Sequence, residues 1–466
     1  MSSGFDRIIE RERGLVRGLN ARRMSMIAIG GAIGTGLFLG SGFAMSLAGP
    51  AVLLSYAVGA LIALLLMGCL AEMTVAHPTS GSFGAYAEYY LGPLAGFLVR
   101  YAYWTCIVLA VGTEVTAIAQ YMRFWFPQLP GWPWVLAFSA LLIGINARSV
   151  TAFGTIEYWF SAIKITAILV FIALGVYIVW HAAPGEGVGL ANYRADGGFL
   201  PKGLWGAWVA VIIAIFSYFS IEMIAVAAGE AAQPEVAITR AFRATVLRLI
   251  LFYLLTLAVM LAIVPWRAAS ADESPFVKVM RALHVPGAAG IFNSVILIAA
   301  LSAMNSQLYI STRMMFSLSR AHSAPRRLGE LSQRGVPLQA LLLSSLGVAL
   351  ATVVSVVASR SAYLLMLSVS AFGAMFTWMM IFITHYRFRV LRARSGAAPP
   401  AFRMLGFPYT TLLGAALMAA VLLTTAFTDA FRLTLAFGLP YLTLLTCVYW
   451  LWLRPRAPAP SSTPPH

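Results

Sequence analysis

The chain has 466 residues, of which 60% are hydrophobic and 10% charged, and its mean hydropathy is +0.83. That balance describes an integral membrane protein and excludes an ordinary soluble domain. A net charge of +16 would point to nucleic acid in a soluble chain, but here the arginines sit at the ends of apolar runs, where membrane topology and anionic headgroups account for them.

Apolar runs bounded by charged or Pro/Gly-rich turns predict twelve spans, at about 24–48, 51–76, 94–122, 132–147, 156–181, 205–229, 244–265, 287–319, 338–358, 362–385, 408–427 and 433–453. The first is long, glycine-broken and followed at once by further spans, so it reads as a mature helix rather than a cleaved signal. Its middle carries Gly30, Gly31, Gly34 and Gly36, which favour an opened helix. In hydrocarbon an opened helix is tolerated only where it is buried in protein or lines a polar cavity. Free N–H groups of the second half would face an anionic group and the last carbonyls of the first half a cation, an arrangement that suits a zwitterion. The competing reading is close helix packing, since Gly30/Gly34 and Gly36/Gly40 have small-xxx-small spacing. A nucleotide loop is excluded by the absence of a following GK[ST] and of a preceding strand.

Basic residues set the orientation. With the N-terminus inside, 22 Lys/Arg fall on inner segments, among them Arg7 to Arg23, Arg148, Arg240 to Arg248, five from Arg313 to Arg334 and five from Arg387 to Arg403, against eight on outer ones. Both termini are therefore predicted to be cytoplasmic. Cys69, Cys106 and Cys447 fall in predicted spans at unrelated spacing and read as apolar fillers, and no metal or cofactor is expected. HExxH and GxSxG are missing, so no hydrolase or metal enzyme is indicated. The ending RPRAPAPSSTPPH is proline-rich and predicted to be disordered.

Few ionisable groups lie inside the spans, and each is a functional candidate because lipid makes it costly. Lys164, in FSAIKITAIL of span five, offers an ammonium that can stand in for a bound cation and exchange a proton, or a lysine that snorkels to the headgroups. Glu114 of span three could touch substrate, titrate or pair with a neighbouring helix. Glu222 lies in span six after Ser217 and Ser220, and Glu230 closes that span as a loop-ordering carboxylate near Arg240 or Arg243. Span eight contributes Asn305, Ser306 and Gln307, a polar patch also open to interhelical hydrogen bonding.

From about Gly18 to Arg403 the chain resembles the amino acid permeases of the amino acid, polyamine and organocation superfamily, in particular the bacterial amino acid transporter branch. The carriers of the resemblance are GLNARRMSMIAIGGAIGTGLFLGSG, PTSGSFGAYAEYYLGPLAGFLVRYAYW, FSAIKITAI, SIEMIAVAAGEAAQPEVAITRA, NSQLYISTRMMFSLSR and RGVP. The resemblance implies an all-α polytopic fold built as a five-plus-five inverted repeat with spans one and six interrupted. The implied organisation is a basic N-terminal segment (1–23), a ten-helix transport core (24–386), a cytoplasmic loop (387–407), two accessory helices (408–453) and a tail (454–466).

In that pattern Ile33, Gly34, Thr35 and Gly36 receive the substrate carboxylate. Carbonyls of Ala32, Phe216 and Phe219 receive the α-amino group, Phe216 closes over the substrate, and Glu222 lies on the cytoplasmic route. Lys164 matches the lysine that takes the place of sodium in proton-coupled or sodium-independent relatives. Two positions depart from the pattern. Ser220 and Ile221 precede Glu222 where many relatives read G-T-E, and Gln307 stands where many read NSG.

These features predict a multi-pass carrier of the bacterial cytoplasmic membrane that imports an L-amino acid with a proton by alternating access. Its partners would be the amino acid, the proton and membrane lipids, with no nucleic acid. Ile221, Met304, Gln307 and Glu114 are expected to line the side-chain pocket. Exchange in the same fold and sodium coupling are the rival mechanisms, the latter opposed by Lys164. A membrane enzyme or receptor would need a catalytic constellation or an appended domain that the sequence does not carry.

Overall fold

The computed structural model describes residues 2–12, 14–15, 26, 33–182, 187–228, 239, 251–269, 274–282, 287–357, 362–396, 398 and 400–453. Ala32, Gly30, Gly31, Glu230, Arg240 and Arg243 lie outside the described residues, as does the tail 454–466. Among those described the chain is helical, with no strand.

In chain order the helices are α1 (Ser2–Arg11), α2 (Ser41–Ala48, entered through a π-helical turn Gly36–Gly40), α3 (Val52–Ala76), α4 (Ser82–Leu91), α5 (Pro93–Met122), α6 (Trp132–Arg148) and α7 (Val150–His181). They continue as α8 (Gly203–Tyr218), α9 (Met223–Ala227), α10 (Thr256–Ile263), α11 (Pro275–Ala282), α12 (Ala288–Arg320), α13 (Leu338–Ser344), α14 (Leu346–Val357), α15 (Ala362–Arg394), α16 (Tyr409–Thr424) and α17 (Arg432–Val448). Local chemistry sets the ends. Gly92 and Pro93 begin α5, while the Ser149 hydroxyl caps α7 by accepting from the Ala152 N–H at 3.1 Å.

Eight helical stretches among the described residues are long and apolar enough to cross a membrane. One of them, Gly36–Ala76, contains the outer part of the first predicted span and all of the second, parted at Gly49 (φ 63°) and Pro50. Burial separates centre from rim. The apolar window of Gly203–Ala227 is 100% buried within the protein, whereas that of Val150–His181 is only 22% buried. Helices α8 and α9 are therefore the centre of the bundle, contacted by α2 and α3, and α12 packs along α5 and α7. Helix α7 buries a single stripe, Phe153, Glu157, Ser161, Lys164, Ile168, Phe171 and Gly175, at helical i+3/i+4 spacing. Its other face exposes Trp159, Leu169, Val170, Val176 and Tyr177.

Two interruptions matter for the site. At Ile33 and Gly34 the backbone bends, and helix begins at Thr35. After Tyr218 the helix stops, Ser220 adopts φ 76°, and helix resumes at Met223. The two breaks touch: a Cβ on Gly36 would lie 2.6 Å from Ser217 Cα, so only glycine permits the approach. At Gly36 close packing therefore requires glycine, whatever its backbone N–H also binds. Replacing it with leucine costs folding before it tests any ligand contact.

On the face that carries the N-terminus, α1 is amphipathic and buries Phe5 against the rings of His77, Tyr86 and Tyr89. The residue after it, Glu12, is buried among α4, α5 and α12. Its carboxylate accepts from Thr79 Oγ1 (2.5 Å), the Gly81 N–H (2.7 Å) and Ser317 Oγ (2.6 Å). Arg100 donates to Ser317 at 3.0 Å and pairs with Glu88 at 2.7 Å, and Arg11 donates to the same Glu88 at 2.8 Å. Burial pushes the Glu88 carboxyl upward, but Arg100 and Arg11 outweigh it and hold the group below the ordinary carboxylate range.

Candidate functional site

The helix breaks leave backbone groups that side chains satisfy. The Ser217 carbonyl accepts from Tyr253 OH at 2.7 Å, and the Ser217 hydroxyl bonds to Tyr56 OH at 2.9 Å. Glu222 bridges the second break: one oxygen accepts from the Ser220 N–H (3.2 Å) and Tyr103 OH (2.6 Å), the other from Trp378 Nε1 (3.2 Å). Three donors from three parts of the chain make Glu222 a brace of the opened segment. At the first break the Ile33 carbonyl accepts from Lys164 Nζ at 3.0 Å and the Thr35 carbonyl from Tyr363 OH at 3.4 Å.

Between the breaks lies a small cavity. Seven residues expected from the sequence to bind substrate line it: Gly34, Gly36, Phe216, Ser217, Phe219, Ser220 and Gln307. Glu114 lines it too, together with Ile107, Ala110 and Ala303 from α5 and α12, which the sequence reading did not single out. Ile33, Thr35, Ile221 and Met304 are buried but are not part of this lining. On α12 it is Ala303, one residue and about 100° of helical turn from Met304, that faces the space.

A Cβ on Gly34 would meet Ala303 Cβ at 2.9 Å and Glu114 Oε1 at 3.2 Å, so glycine here lets the lining residues approach closely. Gln307 Nε2 donates to Glu114 Oε1 at 3.5 Å, while Glu114 Oε2 and Gln307 Oε1 find no partner among the described residues. Buried, unpartnered acceptors in a small cavity are what a ligand's N–H groups would satisfy.

Lys164 is fully buried and does not snorkel. Besides the Ile33 carbonyl it donates to Ser302 Oγ at 2.7 Å, and it lies 4.0 Å from Glu157 Oε1. Asn305 donates to Glu157 Oε2 at 3.1 Å and accepts from Asn146 at 2.8 Å, so it serves interhelical hydrogen bonding. The sequence reading missed Glu157. The signal was available: Glu157, Ser161 and Lys164 recur at i, i+4 and i+7 on one face of a helix whose other faces are apolar. Also missed was Glu72, which ties α3 to α15 through Arg389 (2.7 Å) and His385 (3.1 Å). Among the described residues no group of His, Cys, Asp and Glu could hold a metal ion. Cys69 and Cys106 are buried, while Cys447 is exposed and fills no core.

A multi-pass helical bundle with a cavity between a broken helix and the bend that precedes another, lined by a buried carboxylate and amide, fits a membrane transporter. Residues 23–458 match the amino acid permease family. The chain is 36% identical over 438 residues to the amino acid permease YtnA of Bacillus subtilis, covering 94% of this chain and 95% of that one. It is 36% identical to the gamma-aminobutyric acid permease of the same organism, over 90% of both chains. The aromatic amino acid transport protein AroP of Salmonella typhimurium is 37% identical, over 90% of this chain and 92% of its own. The chain belongs to the amino acid permease family: it is a transporter and not an enzyme.

Proposed function

We propose that the protein imports an L-amino acid across a bacterial cytoplasmic membrane by proton symport and alternating access. The reading takes twelve spans in a five-plus-five inverted repeat, with both termini cytoplasmic. In it, N–H groups from Ile33 to Gly36 receive the carboxylate, since the first N–H groups of a helix have no partner within it and Thr35 supplies no side-chain cap. Carbonyls of Phe216 and Phe219, with that of Ala32, receive the ammonium group, and Phe216 closes over the substrate. Gln307 and Glu114 select the side chain through their spare acceptors. One relative is named for gamma-aminobutyric acid and another for aromatic amino acids, so the family frame supports the class of substrate and the pocket its choice.

The observation that carries the coupling is the Lys164 ammonium seated on the Ile33 carbonyl, where a cation would otherwise hold the opened first span. The test is uptake of the twenty common amino acids into proteoliposomes with and without an inward proton gradient. Gradient-driven accumulation of a subset supports symport. Uptake that needs only internal preloaded amino acid identifies an exchanger, and dependence on sodium overturns the role given to Lys164.

A further inference from the structure

The buried stripe of α7 that carries Lys164 carries Glu157 two turns earlier, and both side chains are fully buried. A carboxylate and an ammonium 4.0 Å apart, on a helix otherwise facing lipid, are costly to maintain and mark sites where charge moves. Ser302 joins them: its hydroxyl accepts from Lys164 Nζ and donates to Glu157 Oε1. Asn305 holds the second carboxylate oxygen. The stripe also reaches the first span twice, through Lys164 to the Ile33 carbonyl at 3.0 Å and through Ser161 to the Met26 carbonyl at 3.0 Å.

We propose that Glu157 is a positioning residue for proton coupling, and that the Glu157–Lys164 pair, joined by Ser302, is the unit that takes up one proton. The proposal rests on the symport reading. With the proton bound, the pair is an ammonium and a carboxylate of zero net charge, and it grips the Ile33 carbonyl. On release one N–H bond of Lys164 breaks and the proton leaves, so the pair becomes a neutral amine and a carboxylate. The carboxylate keeps Ser302 and Asn305, whereas the amine is a weak donor to Ile33. The contact that weakens is therefore the one to the first span. Among the described residues, Glu114 on α5 is the other carboxylate that Lys164 feels. Ser302, Asn305 and Ser306 of α12 and Asn146 of α6 are neutral, and the next charge along α12, Arg313, lies over the Tyr309 ring.

The test measures gradient-driven accumulation and, without a gradient, the pH profile of counterflow, using an amino acid that the wild type carries. Glu157→Gln is expected to lower accumulation about tenfold or more and to move the counterflow midpoint toward acid by about one pH unit, since an ammonium loses its anion. Glu157→Asp should restore part of both. Glu157→Gln combined with Lys164→Met should be no worse than Lys164→Met alone, within about twofold, because the two act as one unit. Should Glu157→Gln fail to fold, Ser302→Ala, which cuts only the bridge, carries the same measurement. An unmoved pH profile, or losses that multiply in the double variant, overturns the proposal. A wild type that shows no gradient-driven accumulation instead overturns the symport reading, and the counterflow profile then still decides whether the pair is one unit.

Discussion

Two buried charge clusters differ in what they hold together. At the N-terminal face, Glu12 accepts three hydrogen bonds from two parts of the chain, the turn at Thr79 and Gly81 and the helix at Ser317, and Glu88 is shared between Arg100 and Arg11. At mid-bundle, Glu157 and Lys164 stand 4.0 Å apart through a serine, and the nearby Glu114 and Gln307 keep unpartnered oxygens. The first has the character of a latch that fastens α1 to α4, α5 and α12. The second holds the first span through the Ile33 and Met26 carbonyls, next to the Gly34 wall of the cavity. Charges that fasten helices to one another rigidify, while charges that hold a non-helical carbonyl beside a cavity form a site that can change state.

The largest effect that would break this comparison is on folding. Arg100→Met leaves Glu12 and Glu88 short of a buried cation, at a cost of about 3–5 kcal/mol. The expected result is a lower melting temperature and poor monodispersity in detergent. Lys164→Met should instead give a well-folded protein that binds substrate and loses gradient-driven accumulation, measured in proteoliposomes. If both variants only unfold, the contrast between latch and site is lost.

A smaller effect is expected at Gly81, where a Cβ would lie 2.2 Å from Glu12 Oε1. Gly81→Ala should displace that carboxylate and cost about 1–3 kcal/mol in thermal stability, with the set of transported amino acids unchanged. The pH dependence of the latch follows from Glu88. Because its folded value lies below the ordinary one, its contribution is complete above the ordinary carboxylate range and is lost as pH falls through the folded value. Melting temperatures taken from pH 7 down to 3 should therefore fall more steeply at the acid end for wild type than for Glu88→Gln. The mildest change is Gln307→Gly, which enlarges the cavity and removes one hydrogen-bonding group. Competition by a panel of twenty amino acids should shift toward larger side chains, with folding unaffected.

The membrane-spanning character and Lys164 as a buried cation on an apolar helix were legible because hydropathy acts locally along the chain. The family was legible from its motifs. What the sequence left open was which helices are neighbours, because spans share one apolar pattern and lipid does not tell them apart. Ser302 could not be matched to Glu157, nor Glu12 to Ser317 across 305 residues, from spacing within any one helix. The same limit explains why Ala303, which lines the cavity, was not singled out. The rotation of α12 is decided by the side chains of α5 and α7 packed against it, and the composition of α12 carries no trace of that choice.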